Sequence, residues 1–232
     1  MNSHIAALLL TLTLTGLGTP LQLRAQVPPT ATEAAAYQGL HAAAQRGDLA
    51  AIRQLAPNPA ALQARDSAGR TPLHVATFAR QHPAVRALMQ AGADPAALEQ
   101  GRYDAVTIAA VADDEETLRV LLALGASAKL TTSRFEGTAL IAAAHLGHDG
   151  VVRQLIKAGA PLDHVNNLHW TAVIEAIVLG DGGARHQASL KALLDAGAST
   201  QLTDRSGATP LQLARSRGYG AMVQMLQAAG AR

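Results

Sequence analysis

The chain has 232 residues, no cysteine, and a nearly balanced charge of 19 Lys and Arg against 17 Asp and Glu. The balance argues against nucleic acid as the main partner, because that affinity comes largely from neutralising phosphates, and the missing cysteines exclude disulfides and cysteine-bound metals. Aromatic residues make up only 3% of the chain, which favours thin, closely stacked helices over a bulky core.

Residues 1–25 are predicted to be a secretory signal peptide. An apolar run from Ile5 to Leu17 is too short to span a bilayer but has the length of a signal's hydrophobic region. Cleavage after Ala25 would remove it and leave no membrane attachment. An uncleaved anchor and a buried helix are the alternatives. Residues 26–32, which include two prolines, are predicted to be an extended linker.

The rest of the chain repeats. Thr71 can cap a helix that opens with Pro72, a residue that suits the first helical position, and weaker copies of this start follow at Asp104, Thr138, Thr171 and Thr209. Gly-Ala pairs recur 33, 34, 38 and 33 residues apart, at Gly92, Gly125, Gly159, Gly197 and Gly230. Such a period is typical of repeat arrays, in which each unit buries its apolar face against its neighbours.

Six units of two helices each are predicted, at about 33–65, 66–98, 99–132, 133–165, 166–203 and 204–232. The first has no hairpin, and we expect one helix from Thr32 or Glu33 to Ala44, followed by a second from Leu49. In the third unit, the acidic run Asp113–Glu116 opens the second helix, where a helix N-terminus favours carboxylates. A metal site is the alternative explanation of that run.

The segment Thr71-Pro72-Leu73-His74-Val75-Ala76 resembles the ankyrin repeat. The resemblance implies an all-α solenoid with short β-hairpin-like connecting loops, in which the hairpin tips and the first helices line a concave groove that binds partner proteins. The segment Leu168–Ala176 and the glycine-rich insert that follows resemble a subgroup of bacterial exported ankyrin repeat proteins, so the periplasm is the expected location.

On the ankyrin pattern, the candidate binding residues are those aromatic, arginine and histidine side chains that fall at or beside groove positions. Aromatic residues and arginine are common anchors of protein interfaces because they bury a large area at a small entropic cost. We therefore predict partner binding by Arg70, Phe78, Tyr103, Arg134, Phe135, His145 and Trp170. The alternative is that Trp170 and Phe135 pack between neighbouring hairpins and stiffen the array.

The histidines favour structural roles. His41 and His74 occupy the signature histidine position, which in the ankyrin family bonds the backbone of the adjoining hairpin. His145 and His148 form an H-x-x-H pair, which has the spacing of a metal site but lacks an evident third ligand. No metal is therefore expected there.

The insert Gly180–His186 is the most individual segment of the chain. Its glycines permit unusual backbone angles, and Asp181, Arg185 and His186 could coordinate an ion or contact a partner. A merely tolerated insertion at a repeat turn is the alternative.

No nucleophile–base pair, phosphate-binding loop or cofactor motif is evident, so we expect no catalysis and no cofactor. The sequence predicts a monomeric, non-catalytic protein-binding scaffold in the bacterial periplasm. Two alternatives remain: an accessory protein that responds to a ligand or metal through the insert 180–186, and a secreted effector or toxin partner.

Overall fold

The computed structural model describes residues 26–232, so the predicted signal peptide lies outside the described residues. This part of the chain forms fourteen helices and one two-stranded antiparallel sheet. The helices are α1 (Ala31–Ala36), α2 (Gly39–Arg46), α3 (Leu49–Leu55), α4 (Pro59–Leu62), α5 (Pro72–Phe78), α6 (His82–Gln90), α7 (Ala105–Val111), α8 (Glu115–Ala123), α9 (Ala139–Leu146), α10 (Asp149–Lys157), α11 (Ala172–Val178), α12 (Ala184–Asp195), α13 (Pro210–Ser216) and α14 (Gly220–Ala228); the strands are β1 (Thr131–Thr132) and β2 (Gly137–Thr138).

The helices stack in two layers. The first helices of successive units pack in the order α2, α5, α7, α9, α11 and α13, and the second helices in the order α3, α6, α8, α10, α12 and α14. One elongated core of alanine, leucine, valine and isoleucine runs between the layers. The predicted all-α solenoid is confirmed. Among residues 26–232, no helix has both the length and the apolar character needed to cross a bilayer.

The predicted N-caps are present in every unit after the first. Thr71, Thr138, Thr171 and Thr209 each accept a hydrogen bond from the backbone N–H three residues on. Asp104 does the same for Thr107, at 2.7 Å. Each cap satisfies one of the backbone donors that a helix start leaves without a partner.

The glycine of each Gly-Ala pair closes the second helix of its unit. Gly92 has φ 92°, and the N–H of the following Ala93 donates to the carbonyl oxygen of Leu88 at 3.0 Å. The left-handed conformation lets the chain turn sharply out of the helix, at a position where a Cβ is unfavourable.

A matched pair of glycine substitutions tests this account. An added Cβ would meet no atom within 4 Å at Gly92 or at Gly220, but only Gly92 has a positive φ. We expect Gly92→Ala to lower the free energy of unfolding by about 1 kcal/mol and Gly220→Ala, at the start of α14, to raise it by about 0.5 kcal/mol. Urea unfolding of both variants checks this, and equal effects would contradict it.

The predicted structural histidines bond the neighbouring loops. His41 Nε2 donates to the backbone carbonyl oxygen of Arg70, and His74 Nε2 to that of Ala97, both at 2.9 Å. His74 Nδ1 in turn accepts from the backbone N–H of Thr71 at 3.0 Å. One ring nitrogen therefore donates and the other accepts, which is the pattern of a neutral imidazole. Burial lowers the pKa of His74 to about 4.

The first unit differs from the prediction. One helix was expected to run from Thr32 or Glu33 to Ala44, but α1 begins at Ala31, within the predicted linker, and ends at Ala36. Thr30 and Glu33 form a reciprocal capping box that starts α1 early. The extended backbone at Tyr37 separates α1 from α2, and the Tyr37 hydroxyl donates to Asp66 at 2.6 Å. The expectation of one continuous helix was therefore wrong.

An ionic cluster around a buried arginine joins the first unit to the second. The guanidinium of Arg70, a residue only 1% exposed, donates to Asp66 at 2.6 Å and to Glu33 at 2.8 Å. Burial opposes ionisation of Asp66, but hydrogen bonds from Tyr37 and Arg70 outweigh it and lower the pKa of Asp66. Cation and carboxylates therefore hold each other in their charged forms.

The connecting loops are held by side chains more than by strand pairing. Within residues 26–232, only β1 and β2 form a ladder, with Thr131 opposite Thr138. In the other tip turns an acidic or amide side chain accepts from the backbone N–H groups two and four residues on, at Asp66, Glu99, Asn166 and Asp204. This repeated turn sets the direction in which the residue before each N-cap points.

Candidate partner-binding groove

A cavity of about 510 Å³ lies between the third, fourth and fifth units, on the side of the first helices α7, α9 and α11. Four of the predicted groove residues come together in its lining, namely Tyr103, Phe135, His145 and Trp170. We call this cavity the aromatic groove. Residues that the sequence did not indicate also line it, among them Leu146, Asn166, Leu168, Glu175 and Leu179.

The tip turns place two of the three rings. Tyr103 and Trp170 each stand directly before an N-cap, so each leaves the chain where a hairpin meets a first helix. Glu99 accepts from the backbone N–H of Tyr103 at 3.1 Å, and Asn166 accepts from that of Trp170 at 3.0 Å. Burial, reinforced by the Glu99 carboxylate, raises the pKa of Tyr103, so its hydroxyl stays protonated and can donate at neutral pH.

The groove exposes an unusual amount of apolar surface. Residues 26–232 contain six large hydrophobic side chains that are strongly exposed. Four of them line the aromatic groove: Phe135 (36%), Leu146 (40%), Leu168 (37%) and Leu179 (43%). Exposed apolar side chains are ordinary when scattered, but a contiguous cluster marks an interaction site.

A buried carboxylate lies in the same lining. Glu175 is the one charged residue of α11, and it is only 5% exposed. Its Oε1 accepts from Asn166 Nδ2 at 2.8 Å, and its Oε2 lies 3.3 Å from His145 Nδ1. Glu175 was not among the predicted groove residues, although a lone carboxylate in the otherwise apolar segment Ala172–Val178 is a signal that the sequence carries.

Three predicted groove residues lie outside the aromatic groove. Arg70 is buried in the ionic cluster of the first two units and is not free to contact a partner. Arg134 is exposed, but it lines a smaller neighbouring cavity of about 250 Å³, near Glu99 and Gln100. Phe78 ends α5 half-buried and is absent from the groove lining.

The insert is bonded to its neighbours. Arg185 donates to Asp113 at 2.8 and 3.1 Å and to Asp149 at 3.1 Å, and these hydrogen bonds lower the pKa of Asp113. His186 Nδ1 pairs with Asp181 at 2.8 Å, and His186 Nε2 donates to the backbone carbonyl oxygen of His145 at 2.9 Å. Both ring nitrogens of His186 therefore have hydrogen-bond partners. Through Arg185 and His186, the insert connects the fifth unit to the third and fourth.

The two patterns considered as metal sites have other contacts. His148 donates to the backbone carbonyl oxygen of Ala110 at 2.9 Å, whereas His145 faces Glu175. Asp114 caps α8 by accepting from the backbone N–H of Thr117 at 3.0 Å. Within residues 26–232, no group of three or more histidine, aspartate or glutamate side chains is arranged to hold a metal ion.

A larger cavity, of about 800 Å³, lies among α3, α4, α6 and α8. It is built mainly from second helices and the loops beside them, so it belongs to the other layer of the solenoid. Its lining combines aliphatic side chains with Arg53 and Arg86 and holds no phenylalanine, tyrosine or tryptophan. Aromatic anchors therefore distinguish the groove from this cavity.

Most of the chain matches the model of a known family of repeat proteins. The model of ankyrin repeats (three copies) matches residues 22–99 and 106–204. The chain belongs to the ankyrin repeat family. Ankyrin repeats are general scaffolds for protein–protein interaction, and the stacked helix pairs found here are the ankyrin architecture.

Individual ankyrin proteins resemble the chain over most of its length. The ankyrin repeat protein YahD of Escherichia coli is 36% identical over 190 residues, which cover 82% of this chain and 94% of YahD. The crystal structure of an ankyrin repeat domain from Acinetobacter baumannii is 43% identical, with a TM-score of 0.78, and covers 83% of this chain and 98% of its own. The ankyrin repeat domain of Bcl-3 is 28% identical, with a TM-score of 0.73, and covers 85% and 88%.

Proposed function

We propose that the protein is a non-catalytic scaffold that binds a partner protein in the bacterial periplasm through the aromatic groove. The observation that carries the proposal is the clustering of exposed apolar side chains. Four of the six strongly exposed large hydrophobic residues in the described chain share this one cavity. Burying them in a complex would remove apolar area from water, which is the main driving force of association.

The aromatic rings need not be there for the fold. The residue before the N-cap is Trp170 in the fifth unit and Ala208 in the sixth, and both units have the same tip turn and cap. A small side chain therefore suffices at this position for the hairpin and helix to form. The large ring favours binding over a purely structural role.

The periplasmic location rests on the predicted signal peptide. Absence of cysteine is compatible with an oxidising compartment. An accessory protein that responds to a ligand through the insert is the less favoured alternative. Arg185 and His186 of the insert already form hydrogen bonds to other units. A secreted effector remains a distinct outcome, which recovery of the protein from the culture medium would indicate.

Affinity capture from a periplasmic extract tests the function. We expect Trp170→Ala to weaken capture of the partner at least tenfold, since aromatic anchors dominate interface energies. Its free energy of unfolding should fall by only about 1 to 2 kcal/mol, because the ring is half-buried. Tyr103→Ala should behave alike.

Val165→Ala is the matched control, because Val165 is 43% exposed but lies outside the groove lining. It should leave capture unchanged. If Trp170→Ala and Tyr103→Ala strongly lower the melting temperature and leave capture intact, the rings serve the fold and the proposed function is wrong.

A further inference from the structure

We propose that the aromatic groove binds an arginine side chain of the partner, with the guanidinium seated on the carboxylate of Glu175. This inference rests on the proposed function and names the chemistry that the groove selects. Three features of the groove support it: the burial of one carboxylate, the unused hydrogen-bonding capacity of that carboxylate and the side chains around it.

The carboxylate of Glu175 is nearly removed from water. The residue is 5% exposed, and it belongs to a helix whose other members are alanine, valine and isoleucine. An ionised carboxylate in such surroundings is costly unless a cation or several hydrogen-bond donors compensate it.

The chain itself compensates this carboxylate only in part. A carboxylate has about four acceptor sites. Within the described residues, Asn166 Nδ2 occupies one at 2.8 Å, and His145 Nδ1 lies 3.3 Å from the other oxygen. The side chain of His145 is 43% exposed, and among residues 26–232 no lysine or arginine lines the groove. The site therefore has acceptor capacity and negative charge available to a ligand.

Asn166 orients the carboxylate. At the corresponding position of the other tip turns stand Asp66, Glu99 and Asp204, whose oxygens accept backbone N–H groups. Asn166 keeps that function through Oδ1, and its amide nitrogen gives it a donor that an acid lacks. The substitution of an amide for an acid at this turn fixes Glu175 within the groove lining.

The rest of the lining suits a cation on an apolar stem. Tyr103, Phe135 and Trp170 offer aromatic faces, which attract cations, and Leu168 and Leu179 offer aliphatic surface for a methylene chain. Guanidinium stacks on aromatic rings and is less strongly hydrated than ammonium. A desolvated, aromatic-lined carboxylate thus favours arginine over lysine.

The single tryptophan of the chain makes the test direct, because the emission of Trp170 reports occupancy of the groove. The probes are blocked pentapeptides with the sequence Ala-Leu-X-Leu-Ala, where X is arginine, lysine, citrulline, norleucine or glutamate. Citrulline has nearly the shape of arginine without its charge. We expect the arginine peptide to bind the wild-type protein at least tenfold more tightly than the citrulline peptide.

Glu175→Gln is the matched variant, since glutamine keeps an oxygen that can accept from Asn166 while removing the charge. It should reduce binding of the arginine peptide about tenfold, to the level of the citrulline peptide, and leave the norleucine peptide unchanged. The comparison of peptides on the wild-type protein needs no variant, so it stands even if Glu175→Gln unfolds.

Three results would overturn the inference. Equal binding of the arginine and citrulline peptides would exclude a cation site, and a preference for arginine that survives Glu175→Gln would exclude Glu175 as the group that holds the cation. Equal binding of lysine and arginine would overturn the choice of guanidinium. In each case, capture of a partner that still depends on Trp170 would leave the proposed function standing, so the two failures are distinguishable.

Discussion

Arg70→Met is expected to lower the free energy of unfolding by about 3 kcal/mol, because it leaves the carboxylate of Asp66, whose side chain is only 9% exposed, without its cation. Methionine fills much of the same volume, so the loss reports charge more than packing. Asp66 would lose the guanidinium at 2.6 Å, and Glu33 the one at 2.8 Å. Since these contacts join units one and two, the first unit should separate from the array. Urea unfolding followed by circular dichroism measures the effect.

Arg153→Met is the control for this prediction. Arg153 also forms an ion pair, with Asp149 at 2.7 Å, but its side chain is 58% exposed. An exposed pair contributes at most about 1 kcal/mol. If both variants lose the same stability, burial of Arg70 does not have the importance that we assign to it.

Acidification from pH 7 to pH 5 is expected to destabilise the protein by about 2 kcal/mol through His74 alone. The pKa of His74 is lowered from 6.5 to about 4 by burial. Between these values the unfolded chain binds a proton that the folded chain does not. The stability that neutral His74 contributes is therefore present above about pH 6.5 and is lost as the pH falls towards 4.

His74→Gln tests this assignment, because glutamine does not titrate. Its free energy of unfolding should depend less on pH between 7 and 5, by the same 2 kcal/mol or so. Glu33 and Asp66 have lowered pKa values and titrate mainly below this window. Burial raises the pKa of Asp104, but Asp104 is present in both proteins, so its contribution cancels in the comparison. An identical pH dependence in the variant and the wild type would contradict the prediction.

Periodic residues made the solenoid predictable from sequence. Thr71 and Pro72 favour the start of a helix, and Gly92 favours the end of one. The boundaries of each unit are therefore specified by residues close to them in sequence. The recurrence of these signals every 33 to 38 residues left little choice of architecture. The helices of the first unit were harder, because the break at Tyr37 depends on Asp66, which lies in the next unit.

The groove was only partly predictable. Tyr103 and Trp170 could be placed because each stands directly before a cap, and Phe135 because it stands beside the hairpin-tip residue Arg134. Arg70 occupies the same offset as Trp170, but it is buried by partners that only the fold brings near. Glu175 was missed for the same reason, since its distance to His145 arises from the stacking of α9 on α11. The spacing of the repeats does not specify which side chains meet between neighbouring units.

The contacts of the insert bear on how a partner is received. Arg185 and His186 connect the fifth unit with the third and fourth, the same three units whose first helices supply the groove. Because contacts within the protein already order the groove, the groove does not have to rearrange when a partner binds. Binding therefore costs the protein little conformational entropy. A preformed surface of this kind selects among partners by the fit of their shape.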